Sequence, residues 1–94
     1  MDQKINIKIA GGTFKLTASS PEQEEHYRLA AEAINKRYAH YTAIYPGKTV
    51  ADLLSMVALN ETVFRMEMQK ELEGIKKGQQ ELERDLERYL KDAE

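Results

Sequence analysis

His26 and His40 are the only imidazoles in the chain, and there is no cysteine to supply a thiolate nucleophile, a soft metal ligand or a disulfide. The two histidines fall on roughly the same side of a helical segment. No Asp or Glu stands beside them at a spacing that completes a metal set, so they read as solvated surface residues. Tyr27, Tyr38, Tyr41 and Tyr45 could stack a ligand, but their 3–4 spacing is that of an amphipathic packing stripe with hydroxyls reaching water. Gly11-Gly12 lacks the spacing, the helix start and the lysine of a phosphate-binding loop. Asn60 is polar within the apolar run LLSMVALNETVF, yet no base or nucleophile accompanies it. No catalytic, cofactor or metal residue is expected, because an enzyme needs a nucleophile or a paired acid and base in a cleft.

The residues that remain informative are those that build and pair elements. Ile5, Ile7 and Ile9 alternate with polar residues, the period of a half-buried strand. Thr13 to Thr17 alternates again around Phe14 and Leu16. Ala10-Gly11-Gly12-Thr13 provides the turn, so a hairpin of Lys4–Ile9 and Thr13–Thr17 is expected. A lone hairpin is marginal in water, so its apolar face must pack on a helix or join a partner's strands. Ser20-Pro21-Glu22-Gln23 starts a helix with a cap, a first-turn proline and a capping-box glutamine. Its apolar stripe runs Tyr27, Ala30, Ala31, Ile34, Tyr38, Tyr41 and Tyr45, and Tyr45-Pro46-Gly47 stops it.

A second helix begins near Thr49, which can cap it, with Asp52 placed to favour the helix dipole. No proline interrupts the chain from Val50 to Asp92. At about 1.5 Å per residue such a helix would be roughly 65 Å long, about twice the diameter of a small domain. Much of it must therefore project and find a partner. Its first part is apolar on more than one side, which implies several neighbours at once. A seam runs through Leu53, Val57, Asn60 and Phe64. The spacing breaks between Phe64 and Leu72, then resumes as a heptad through Leu72, Ile75, Gln79, Leu82, Leu86 and Tyr89, with Leu90 beside it. Polar Asn60 and Gln79 suit the fixing of register. Gly74 and Gly78 either admit another backbone closely or let the helix bend. The expected fold is α+β: a small dimerising head over residues 1–64 and a coiled-coil helix over residues 65–94.

Composition excludes other classes. The chain has 14 basic and 16 acidic residues, a net charge of −2, and no basic half of the kind nucleic acid needs. No apolar run approaches the length of a membrane span, and the N-terminus lacks the apolar core of a signal peptide. A cytoplasmic location is the default expectation.

The segments INIKIAGGTFKL, PEQEEHYRLAAEAIN and DLLSMVALNETVFRME, in this order, resemble the ZapA family of bacterial cell-division proteins. The family pattern has a strand ending in hydrophobic-x-hydrophobic-x-Gly, a second strand and an acidic helix start. An A-A-x-x-(I/L/V)-N run follows, here Ala30-Ala31-Glu32-Ala33-Ile34-Asn35, and then an A-L-N motif, here Ala58-Leu59-Asn60. The resemblance implies a dimer or tetramer joined through coiled coils. It also implies a non-enzymatic regulator that binds the tubulin-like GTPase FtsZ and bundles its filaments at midcell. The resemblance implies filament contacts on charged head residues, and many members carry a basic residue immediately after the first turn glycine. That position here is Gly12; the nearest basic residues are Lys15 and Lys8, and Asp52 approximates the acid near the second helix start. The residues alone also permit a generic coiled-coil adaptor whose head binds another cytoplasmic protein.

Overall fold

The alternating isoleucines build β1 (Gln3–Ile9), which pairs antiparallel with β2 (Gly12–Ala18) in a computed structural model that describes residues 2–92. The turn is tighter than expected. Ile9 pairs with Gly12, so only Ala10 and Gly11 form the loop, and Gly12 is the first residue of β2 rather than part of the turn. Ala10 and Gly11 have φ of 51° and 83°, the positive pair that a type I′ turn requires. The strands are correspondingly longer, from Gln3 and to Ala18.

α1 (Pro21–Ile44) starts as its sequence dictates. The Ser20 hydroxyl accepts the Gln23 N–H at 3.1 Å. The Gln23 side-chain oxygen reaches one residue past the cap, accepting from the Ser19 N–H at 2.6 Å and the Ser19 hydroxyl at 2.9 Å. Tyr45 caps the far end, its N–H donating to the Tyr41 carbonyl, and Pro46 with Gly47 turns the chain away. α2 (Val50–Asp92) then runs without a break. The Thr49 hydroxyl caps it by accepting the Asp52 N–H at 3.1 Å. The expected segment 65–94 is helical to Asp92; Ala93 and Glu94, like Met1, lie outside the described residues.

Directly opposed residues of an antiparallel pair share a face. Ile5, Ile7, Phe14, Leu16 and Ala18 therefore lie on one side of the hairpin, and Lys4, Asn6, Lys8, Thr13, Lys15 and Thr17 on the other. α1 covers the first side. Ile5, Ile7, Ala18 and Ala31 form its core, with Ile9 and Tyr27 packed against them. The cover is unequal. Ile5 and Ile7 are 4% exposed, whereas Phe14 and Leu16 on the neighbouring strand keep 52% and 38%. The α1 stripe is also narrower than its periodicity suggests: Ala30 and Tyr45 are exposed.

The chain divides into two compact units, Met1–Leu59 and Asn60–Glu94. In the first, Leu53 and Val57 of α2 are each 3% exposed. In the second, every described residue after Asn60 is exposed within the single chain. No helix is long and apolar enough to cross a membrane among the described residues.

Candidate interaction surfaces

Two surfaces stand out among the described residues, and both suit binding. The first is the outer face of the hairpin. Lys4 pairs with Thr17, Asn6 with Lys15 and Lys8 with Thr13, which places Lys15 diagonally between Lys4 and Lys8. Such diagonal neighbours lie roughly 7–8 Å apart. No Asp or Glu occurs anywhere from Gln3 to Ala18, so every charged side chain on this face is a lysine, in a chain whose net charge is −2. Lys8 and Lys15, expected as partner-binding residues, are thus brought together. Lys4 joins them and was not singled out from the sequence, although its parity with Lys8 in β1 carried the signal. Asp52 is exposed in the first turn of α2 and makes no ion pair with these lysines among the described residues.

The turn between the strands is held from below. The Asn35 side-chain oxygen accepts the Ala10 N–H at 2.9 Å, and its side-chain nitrogen donates to the Lys8 carbonyl at 2.8 Å. Sequence reasoning gave Asn35 a place in a motif but no role. Its partners lie too far away in sequence for any local pattern to reveal them.

The second surface is the apolar stripe of α2. Phe64, Leu72, Ile75, Leu82, Leu86 and Leu90 are exposed, as are Leu59, Val63, Met66 and Met68. Asn60 is half-buried. Leu53 and Val57, expected at an interface between copies, are each 3% exposed within the single chain.

Among the described residues no polar or charged side chain is buried, and no group of three His, Asp or Glu side chains could share a metal ion. His26 and His40 are exposed; the His40 ring lies 5.9 Å from that of Tyr41, which lies 6.3 Å from Tyr45. These rings are tilted against one another along α1. The Arg28–Glu24 ion pair at 3.0 Å joins successive turns of α1 and contributes little.

Comparison with protein families places this arrangement. The family model described as "Cell division protein ZapA" matches residues 5–92, the hairpin and both helices. A comparison with curated proteins gives no match.

Proposed function

The chain belongs to the ZapA family of cell-division proteins, and from that premise we propose that it is a non-enzymatic regulator that binds FtsZ and crosslinks its filaments. It acts in the cytoplasm at the division site, as a homodimer or homotetramer. The observation that carries this reading is the uncovered stripe of α2. Leu72, Ile75, Leu82, Leu86 and Tyr89 repeat at heptad spacing, with Leu90 beside them, and all are exposed in one chain. Burying these side chains against further copies is worth on the order of 5 kcal/mol per chain. Asn60 and Phe64 extend the contact towards the first unit, and Asn60 and Gln79 select its register.

Oligomerisation supplies the mechanism. Each copy brings one hairpin unit, so an oligomer is a multivalent ligand. Linking weak sites raises avidity without any new contact, and two sites on different filaments hold the filaments together. The filament contact is assigned to Lys8 and Lys15, with Lys4 beside them and Asp52 as a further charged residue. Exposed lysines steer association with an acidic surface and weaken as salt screens them.

The test pairs light scattering on size-exclusion peaks with sedimentation of FtsZ polymers. Ile75→Glu and Leu82→Glu place a charge in the stripe. Each is expected to lower the oligomer mass and to abolish bundling. Bundling undiminished in a variant shown to be monomeric would sink the reading.

A further inference from the structure

We propose that the outer edge of β2 is a strand-addition site for an extended protein segment that alternates acidic and apolar residues. This goes beyond filament crosslinking and does not require the partner to be FtsZ.

The two-residue loop makes Ile9–Gly12 the closing hydrogen-bonded pair, so Ile7–Phe14 and Ile5–Leu16 are the next such pairs. The N–H and C=O groups of Thr13, Lys15 and Thr17 then point away from β1, along the free edge of β2. Those of Lys4, Asn6 and Lys8 point off the other edge. The Lys8 carbonyl confirms this parity, because it is the group that accepts from Asn35.

The two edges are not equivalent. α1 stands along the β1 edge, where Asn6, Lys8, Arg28, Glu32 and Asn35 line a shallow cleft, and Asn35 occupies a backbone acceptor. Along β2, no hydrogen bond to the outward N–H groups of Thr13, Lys15 or Thr17 occurs among the described residues, and all three side chains are exposed. A row of unpaired groups on an exposed strand is a template for another strand. The side chains beside it define the occupant. On the inner face, half-exposed Phe14 and Leu16 adjoin the edge and would be covered by apolar side chains. On the outer face, Lys15 stands mid-strand, with Lys4 and Lys8 diagonal to it. An added strand shows its side chains alternately to these two faces. Acids opposite Lys15 and apolar residues beside Phe14 and Leu16 satisfy both.

Charge decides against a second copy as occupant. Antiparallel pairing of β2 with itself about Lys15 sets that lysine directly against its copy, which is destabilising. Registers centred on Phe14 or Leu16 separate the pair only to a diagonal, and every register doubles a face that has lysines and no acid. A lysine in mid-edge is the usual device by which edge strands avoid their own copies. A nucleic acid would meet the lysines but leave Phe14 and Leu16 bare.

The experiment uses the full chain and three short blocked peptides. One alternates glutamate with valine, one alternates lysine with valine, and one carries the glutamates and valines of the first in two blocks. Amide hydrogen exchange is followed by NMR. The alternating acidic peptide is expected to slow exchange about tenfold at Thr13, Lys15 and Thr17 and to leave Lys4 and Asn6 unchanged. Lys15→Glu, at an exposed position, should reverse the preference in favour of the lysine peptide. The proposal is overturned by equal protection from the block peptide, by protection from oligothymidylate instead, or by protection that grows with protein concentration alone. It is equally overturned if the alternating acidic peptide, at millimolar concentration, protects none of the three amides.

Discussion

Asn35 and Ala10 are joined across two elements: the Asn35 side-chain oxygen takes the Ala10 N–H at 2.9 Å while its nitrogen holds the Lys8 carbonyl at 2.8 Å. One amide side chain thus satisfies a backbone donor and a backbone acceptor on either side of Ile9. It locks the hairpin turn to the middle of α1 and fixes the direction in which the lysine face points. Asn35→Ala leaves both groups to find water. The expected loss is about 1–2 kcal/mol, since the site is only partly buried. Thermal unfolding at fixed protein concentration measures it, and exchange at the Ala10 amide should accelerate in parallel. An unchanged melting temperature would mean that the bridge contributes nothing.

Ala10 carries backbone strain that the sequence could relieve. Its φ of 51° lies in the left-handed region, where a Cβ costs roughly 1–2 kcal/mol. Ala10→Asn converts the loop to Asn-Gly, the preferred type I′ pair, and keeps the N–H that Asn35 needs. A gain of about 0.5–1 kcal/mol is expected. Ala10→Val should do the reverse, because a β-branched residue at positive φ is strongly disfavoured. If both variants melt with the wild type, the turn is not strained.

How far these features could be read beforehand depends on the range of the interaction. Ser20 and Thr49 cap the helices they precede, because capping spans three residues and leaves a local signature. The strand alternation around Ile7 and Phe14 was equally legible. The turn was misplaced by one residue because Gly11 and Gly12 are equally permissive, and only the register shows which one bends. Leu53 and Val57 show a different limit. They share the spacing of Asn60 and Phe64, and periodicity reports that a face is covered without saying by which chain. The Asn35 bridge and the Lys4–Lys15–Lys8 face are long-range pairings. No local pattern encodes them, although the parity of β1 and β2 would have given the second once the register was known.

Gly12 offers a direct test of the proposed filament contact, because it stands where the resemblance implies a basic residue. Its φ is not positive, unlike those of Gly11 and Gly47. A Cβ would sit 3.4 Å from the Ile9 carbonyl oxygen and 3.7 Å from the Phe14 ring, both ordinary contacts. Gly12→Arg should therefore fold normally, with stability unchanged or higher by up to about 1 kcal/mol, since glycine weakens a strand. If the hairpin meets FtsZ, the added cation should lower the Kd severalfold at low salt, with the gain fading as salt rises. Co-sedimentation across a salt series reads this. A Kd that rises, or a gain indifferent to salt, would move the contact away from the hairpin.

Gly78 tests the stripe of α2 from its flank. Each glycine inside a helix costs about 1 kcal/mol relative to alanine, and a Cβ at Gly74 or Gly78 would meet nothing within 4 Å in the chain. Packing within one copy therefore explains neither residue. On the helical wheel Gly78 lies beside the heptad positions Ile75 and Leu82, not among them. A partner that packs on the stripe should tolerate a methyl group there. Gly78→Ala is expected to raise the melting temperature and to leave the oligomer mass unchanged. A drop in mass with helix content preserved would instead place another backbone against Gly78, because only close approach makes a single methyl group costly. The paired variant Gly74→Ala separates the cases further. Glycines kept for close approach should both lower the mass, whereas glycines that merely weaken the helix should both raise its stability, by about the same amount.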